Sequence, residues 1–158
     1  FRELPIVLSE SDPEGCAACS ARVYPQNAYR NGPLYASYEA TMMKNMYELA
    51  AREKTNITGM LTWAFTFEGQ PPFEGFRELA SYGLDKPVLN TFRMAARLHG
   101  DRVALESSGA IPVTTIQSAG VRGESPDIDG LATLAPRELS VMVRNYHDND
   151  LPGPDAPV

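Results

Sequence analysis

The sequence predicts an α/β protein, namely the C-terminal part of an α/β barrel followed by an accessory β-sandwich. Residues 1–100 alternate strand, helix, strand and helix, an order typical of parallel sheets covered by helices. Residues 101–158 change to short segments separated by Gly, Pro, Ser and Asp, which is typical of antiparallel strands. Two strand-helix units cannot close a barrel and would leave exposed sheet edges. We therefore expect the chain to be a fragment whose missing strands lie elsewhere in a longer protein.

Composition and charge narrow the classes of partner. The chain has 158 residues, of which 43% are hydrophobic and 22% charged, as in an ordinary globular protein. Its formal net charge of -6 argues against a nucleic-acid partner, which would need clustered Lys and Arg. Its apolar runs are shorter than the ~20 residues that span a bilayer, so no membrane partner is expected. A homo-oligomer stays open, and the bacterial cytoplasm and periplasm are both compatible with the sequence.

The first two elements follow from hydrophobic pattern. Residues 4–8 (LPIVL) form an unbroken apolar run, which predicts a strand buried on both faces, and carboxylates follow it from Glu10 onward. After a polar loop, apolar residues recur every three or four positions, which predicts a helix from Pro33 to about residue 54. The apolar positions of this helix are Leu34, Tyr38, Met42, Met46 and Leu49.

A second strand, a long loop and a second helix come next. Residues 57–68 (ITGMLTWAFTFE) are rich in β-branched and aromatic residues and again end on an acid, Glu68, so we predict a second buried strand. Residues 69–85 contain several Gly and Pro residues and predict a long irregular loop, a kind of segment that is usually functional. The run Asp85-Lys86-Pro87 predicts a capped helix start, and that helix ends before Gly100.

The C-terminal segments predict the start of a sandwich. We expect short strands at residues 103–105, 111–115, 130–134 and 138–146, the last alternating apolar and polar side chains. A domain boundary is therefore expected near residue 100. Residues 1–100 would supply the last two strand-helix units of the barrel, and residues 101–158 the beginning of the sandwich.

The cysteine and histidine content gives no metal or cofactor site. Cys16 and Cys19 form a single Cys-x-x-Cys pair in a polar loop, without a second pair or a His cluster to complete a zinc site. We expect a structural role for them, either as free thiols or as a short-loop disulfide. His99 and His147 have no partners at ligand spacing and are expected at the surface. No cofactor is predicted.

A carboxylate at a strand end followed by a Trp on the next strand suits a sugar-cleaving site. Glu10 would attack the anomeric carbon or stabilise the oxocarbenium-like transition state. The indole of Trp63 would stack on a sugar ring, and Glu68 would accept hydrogen bonds from sugar hydroxyls. From the pattern alone, the sequence favours an ordinary solvated loop acid at Glu10 over a catalytic one, because acids after strands are common.

Four stretches resemble the C-terminal third of glycoside hydrolase family 39, the family of β-xylosidases and α-L-iduronidases. They are residues 9–15 (SESDPEG), 29–33 (YRNGP), 61–68 (LTWAFTFE) and 83–90 (GLDKPVLN), and the likeness extends over nearly the whole chain. The bacterial β-xylosidase branch is most similar. The resemblance implies a (β/α)8 TIM barrel with an accessory β-sandwich and a retaining mechanism in which Glu10 is the nucleophile. It also implies an acid/base Glu after an Asn, and no Asn-Glu pair exists in this chain.

Further substrate contacts are candidates with structural alternatives. Asp12 and Gly15 lie in the loop after Glu10, where the iduronidase branch carries substrate contacts, but both are also turn residues. Arg30 would bind substrate or pair with an acid of its loop. Phe67 would contact the aglycone at the barrel mouth or pack in the core.

We therefore predict a retaining exo-glycosidase, a β-xylosidase that releases xylose from the non-reducing ends of xylo-oligosaccharides. Its partners would be a small oligosaccharide and the remainder of the barrel, and this segment alone would be inactive without the acid/base residue. One alternative is another glycone within the same family. A second, from a different class, is a non-catalytic carbohydrate-binding module.

Overall fold

The computed structural model describes residues 3–11, 13, 16 and 18–151. It is a mixed helix and sheet structure with three small sheets, and within the described residues no barrel closes. This agrees with an α/β chain at the coarse level. The division into residues 1–100 and 101–158 stays a prediction. The elements in chain order are β1 (Ile6–Leu8), a 3-10 helix (Pro25–Asn31), α1 (Pro33–Glu53), β2 (Ile57–Met60), β3 (Ala80–Ser81), β4 (Leu84–Asp85), α2 (Pro87–Ala95), β5 (Asp101–Val103), α3 (Val113–Ala119), β6 (Asp127–Ala135) and β7 (Glu138–Tyr146).

Strands β1 and β2 pair in parallel, joined by the long crossover through α1, as the strand-helix-strand order predicts. The expectation that β1 is fully buried is wrong for the described residues. Ile6 and Val7 are exposed. The pair forms a sheet of only two strands, so neither face of β1 is covered as it would be in a larger sheet.

The predicted strand over residues 57–68 is too long, because β2 ends at Met60. Two backbone bonds extend the ladder slightly: Leu61 N donates to Leu8 O (2.9 Å), and Ser11 N donates to Leu61 O (3.0 Å). Residues 62–67 then continue without regular structure. They are β-forming by composition, but their backbone forms no further ladder with a neighbouring strand among the described residues.

Helix α1 is confirmed at both ends. It begins at Pro33, after Gly32, and ends where Lys54 takes a left-handed conformation (φ 53°). Its burial differs from the apolar pattern, since the predicted apolar positions are only partly buried. The buried side chains of α1 include polar and charged ones, among them Glu39, Lys44 and Asn45.

The loop over residues 69–85 contains a small hairpin that the sequence did not indicate. Strands β3 and β4 are joined by Tyr82 and Gly83, both at positive φ (50° and 81°), as a type I′ turn requires. Helix α2 begins at Pro87 as predicted, but Asp85 does not cap it. Its carboxylate instead pairs with Arg93, eight residues later in the last turn of α2 (2.5 Å).

The C-terminal sheet has the order β5-β6-β7 and is antiparallel throughout. The strands predicted at residues 130–134 and 138–146 are confirmed as β6 and β7, and the one predicted at 103–105 lies slightly earlier, as β5. The strand predicted at residues 111–115 is wrong. That segment starts α3, in which Thr115 N donates to Pro112 O, and the helix ends at Gly120 with φ 68°.

The three-stranded sheet packs against α1. Ala40 of the helix contacts Leu131 and Met142 of the sheet, with Met43 and Leu98 at the edge of the cluster. The buried face of the sheet is therefore covered by a helix from the N-terminal half. On the opposite face, Leu139, Val141 and Val143 of β7 are exposed. Among the described residues, no helix is long and apolar enough to cross a bilayer.

Candidate active site

Glu10 lies two residues after the end of β1, beside the parallel partner segment. Its neighbour Ser11 is fixed across the sheet, since both Ser11 N and Ser11 Oγ donate to Leu61 O (3.0 and 3.1 Å). The Glu10 side chain is 47% exposed, and its Oε1 accepts a hydrogen bond from Arg77 Nη1 (3.2 Å). The predicted nucleophile is thus a half-exposed carboxylate that is paired with a cation.

Arg77 is a residue that the sequence analysis missed. It belongs to the predicted irregular loop, yet its side chain is fully buried. The neighbouring residues Gly75, Phe76 and Glu78 are buried as well. A buried arginine almost always has specific partners, but no local pattern in the sequence indicates that this one is buried or that its partner is 67 positions away.

Trp63 begins a row of aromatic side chains. Its ring lies 4.5 Å from that of Phe65, which lies 5.8 Å from Phe67, which lies 4.5 Å from Phe76. Trp63 is 43% exposed, whereas Phe76 is buried. The row therefore runs from the surface to the residue that precedes Arg77. Phe67 is in the middle, packed on Phe76 and partly buried, which agrees better with packing than with an open aglycone contact.

Arg30 is buried and forms hydrogen bonds with two loops, the one that contains Cys16 and Cys19 and the one that contains Gly75. Its guanidinium donates to Cys16 O (2.9 Å), Cys19 O (3.5 Å) and Gly75 O (3.1 Å). Asn27 Nδ2 also donates to Cys19 O (2.8 Å). This geometry supports a structural clamp more than a substrate contact. Cys16 and Cys19 form a disulfide, so of the two structural states expected for them the bonded one is present.

Gly75 sits where the two loops come closest. Its φ is 79°, and an added Cβ would lie 2.9 Å from Ala21 Cβ and from Asn27 O. Both the left-handed conformation and the close approach require glycine here. This close contact allows the Gly75 carbonyl to reach the Arg30 guanidinium.

Lys86, just before α2, is the third buried cation of this region. Its Nζ donates to Phe76 O (2.8 Å) and lies 3.9 Å from Glu78 Oε1. Burial lowers the pKa of Lys86 to about 8; the Glu78 carboxylate opposes this shift and Arg30 adds to it. Arg30, Arg77 and Lys86 are thus three buried cations of one region, and Arg77 contacts the Glu10 carboxylate.

The remaining candidates lie apart from this arrangement or outside the described residues. Glu68 is exposed at the end of the aromatic segment. Asp12 and Gly15 lie outside the described residues. A cavity of about 730 Å³ opens between the start of α1 and the end of β7, and neither Glu10 nor Trp63 lines it. Within the described part of the chain, no group of three or more His, Cys, Asp or Glu side chains is placed to hold a metal ion.

The histidines occupy peripheral positions. His99 is exposed, and His147 Nε2 lies 2.7 Å from Gly123 O at the rim of that cavity. Neither contacts the region around Glu10. The chemistry available there is that of a half-exposed carboxylate next to a buried guanidinium.

Comparison with known proteins adds no family: no protein-family model matches this chain, and no curated protein or solved structure matches it either.

Proposed function

We propose that this chain is the C-terminal portion of a retaining exo-glycosidase of glycoside hydrolase family 39, a β-xylosidase that acts on xylo-oligosaccharides. In this proposal β1 and β2 are the last two strands of a (β/α)8 barrel, and β5, β6 and β7 begin the accessory sandwich. The observation that carries it is the placement of Glu10. The Glu10 carboxylate is half-exposed, follows a parallel strand and is paired with the buried Arg77. The next residue, Ser11, is hydrogen-bonded to Leu61, which precedes the exposed Trp63 by two residues.

The mechanism assigns Glu10 the nucleophilic role. In retaining hydrolysis two carboxyl groups stand about 5 Å apart, one ionised and attacking, the other protonating the leaving oxygen. The guanidinium of Arg77 donates a hydrogen bond to the Glu10 carboxylate at 3.2 Å. The protonated partner would come from the part of the barrel outside this chain, in agreement with the absence of an Asn-Glu pair from the sequence.

Trp63 would form the floor of a sugar subsite. Trp63 is 43% exposed, and its indole contacts the ring of Phe65 edge-on. Aromatic rings in this state stack on the apolar faces of sugars. Glu68 follows the aromatic segment and would accept hydrogen bonds from hydroxyl groups at the rim, and Asp12 and Gly15 stay proposed substrate contacts.

The proposal is tested in the complete protein with a panel of nitrophenyl glycosides and the substitution Glu10→Ala. We expect turnover of the β-xyloside, and a loss of about 10⁴-fold or more in kcat for the variant, because the covalent step has lost its nucleophile. Azide should restore part of the turnover with the anomeric configuration inverted. The control Glu138→Ala changes an exposed acid at the start of β7 and should leave kcat unchanged.

The same experiment separates the alternatives. Turnover of a different glycoside with the same dependence on Glu10 would support a family member with another glycone. A protein that hydrolyses none of the glycosides but binds xylo-oligosaccharides equally well with and without Glu10 would be a carbohydrate-binding module. That second function is favoured only by the exposed aromatic row, which suits binding without catalysis.

A further inference from the structure

We infer that Arg77 is the positioning residue of the nucleophile: it holds the Glu10 carboxylate in place and stabilises that carboxylate when it leaves the glycosyl-enzyme. This inference rests on the proposed glycosidase function. The geometry behind it is an asymmetric ion pair, in which the guanidinium is fully buried and the carboxylate is 47% exposed. The protein side of the pair is fixed, and the carboxylate remains accessible to a ligand.

The backbone around Arg77 is tied on both sides. Gly75 O accepts from Arg30 (3.1 Å), and Phe76 O accepts from Lys86 Nζ (2.8 Å). Further along, Leu79 O accepts from Lys86 N (2.9 Å). Because these bonds fix the backbone at Arg77, the position of its side chain is restricted as well. Such rigidity is needed to hold a reacting group within a fraction of an ångström.

The contact itself is directional. The Arg77 Nη1 hydrogen bond reaches Oε1 of Glu10 at 3.2 Å. A guanidinium is planar and permanently charged, so it restricts the rotation of the carboxylate as well as neutralising it. Lys86 Nζ donates to Phe76 O, and Arg30 Nη1 donates to Gly75 O. Arg77 is the member of this buried group that is bonded to Glu10.

The two chemical steps use this pair differently. First, a Glu10 oxygen bonds to the anomeric carbon while the glycosidic C–O bond breaks, and the leaving oxygen takes a proton from the acid residue elsewhere in the protein. The carboxylate thereby becomes a neutral ester, and Arg77 no longer faces a negative charge on Glu10. Water then attacks the anomeric carbon and gives its proton to that same residue, and the ester bond breaks with its electron pair returning to Glu10. Arg77 stabilises the departing carboxylate in this second step.

The test is Arg77→Met in the complete protein, assayed with a dinitrophenyl glycoside whose good leaving group makes the first step fast. We expect kcat to fall about 10²-fold, with KM falling as well because the glycosyl-enzyme accumulates. A rapid-mixing experiment should show a burst of one equivalent of dinitrophenolate. A merely structural effect would not lower KM or produce the burst.

Two further variants keep the inference falsifiable. Arg77→Lys retains the charge without the planar fork and should recover part of kcat; if Arg77→Met does not fold, the lysine variant should still show a lowered kcat and KM relative to wild type. Arg144→Met removes a buried arginine of the C-terminal sheet and should reduce stability without changing kcat or KM. Folded Arg77 variants with wild-type kcat and KM, or with a raised KM and no burst, would overturn the inference.

Failure of this inference is distinguishable from failure of the proposed function. If Glu10→Ala abolishes turnover while the Arg77 variants behave as wild type, the glycosidase assignment stands and only the role of Arg77 is wrong. If Glu10→Ala leaves turnover unchanged, Glu10 is not the nucleophile and both proposals fall.

Discussion

The contacts that the buried cations make with described residues differ between the two halves of the molecule. In the loop region behind Glu10, Arg30 donates to backbone carbonyls, and Lys86 Nζ donates to Phe76 O at 2.8 Å while the buried Glu78 carboxylate lies farther away, at 3.9 Å. Between α1 and the C-terminal sheet, Lys44 and Arg144 make their short contacts with the buried carboxylates of Asp129 and Asp127. The carbonyl bonds hold irregular loops together, whereas the ion pairs join a helix to a sheet and one strand to its neighbour.

The Arg77–Glu10 pair belongs to neither pattern. It lies in the loop region, as the Lys86–Glu78 pair does, but its carboxylate is 47% exposed while its guanidinium is fully buried. In the Arg144–Asp127 pair both side chains are inaccessible, so no ligand can reach either charge. The comparison teaches that the exposure of the carboxylate, rather than the presence of a buried arginine, distinguishes a candidate site from a structural ion pair.

The largest stability effect is expected from breaking the closed pair of the sheet. Asp127 Oδ2 lies 2.5 Å from Arg144 Nη1, and Asp127 Oδ1 accepts from Ile111 N (2.8 Å). The substitution Asp127→Ala leaves a buried guanidinium without this carboxylate and a backbone N–H without its acceptor. We expect the free energy of unfolding to fall by about 3–5 kcal/mol, measured by urea denaturation.

A matched control tests whether burial of the carboxylate causes this effect. Glu48 pairs with Lys44 at 2.7 Å but is more exposed, and Lys44 keeps its contact with Asp129 when Glu48 is removed. Glu48→Ala should therefore cost about 1 kcal/mol or less. If both substitutions lowered the free energy of unfolding by a similar amount, burial of the carboxylate would not determine how much an ion pair contributes to stability.

The second prediction concerns the pH dependence that the carbonyl-bound Lys86 creates. Its pKa is lowered from 10.5 to about 8 in the folded protein. Between these values the unfolded chain holds a proton that the folded protein has released, so stability rises with pH. From pH 8 to pH 10 the gain should be about 2 kcal/mol. In Lys86→Met, which carries no charge, this contribution to the slope should be absent.

The measurement is the difference between wild type and Lys86→Met in urea denaturation at pH 8 and pH 10. Tyr146 acts in the opposite sense, since burial and its hydrogen bond to Asp148 (2.6 Å) raise its pKa well above the usual range. Stability from Tyr146 is present below pH 10 and is lost above it. Because both proteins contain Tyr146, its effect cancels in the difference. Equal slopes in the two proteins would contradict the assignment to Lys86.

Sequence reasoning predicted the elements that have a strong local signal. The apolar periodicity of α1, its Gly32-Pro33 start and the alternation in β7 were enough to place them. Composition gave wrong predictions at two places. Residues 62–67 were predicted as a strand but lack regular structure, and residues 113–115, also predicted as a strand, begin a helix. A strand needs a partner backbone, and composition alone does not say whether one is present.

The candidate site was predicted in part. Glu10 and Trp63 were chosen because a carboxylate and an indole follow neighbouring strands, and the structure joins their segments through Ser11 and Leu61. Arg77 was not predictable, because its burial depends on the folding of an irregular loop against a residue far away in the sequence. Pair contacts of this kind leave no periodic pattern in a single chain.

The smallest effect is expected from the disulfide between Cys16 and Cys19, and it tests whether covalent or hydrogen bonds hold the loop region. The bridge closes a loop with a sequence separation of only 3, so constraining the unfolded chain contributes at most about 2 kcal/mol. In Cys16→Ser/Cys19→Ser the carbonyls of both positions still accept from the buried Arg30. We therefore expect the free energy of unfolding of this variant, measured by urea denaturation, to fall by about 1–2 kcal/mol. Dithiothreitol should lower the free energy of unfolding of the wild type by the same amount and leave that of the variant unchanged. A loss larger than that of Asp127→Ala would mean that the covalent link, and not the carbonyl bonds to Arg30, keeps this loop in place.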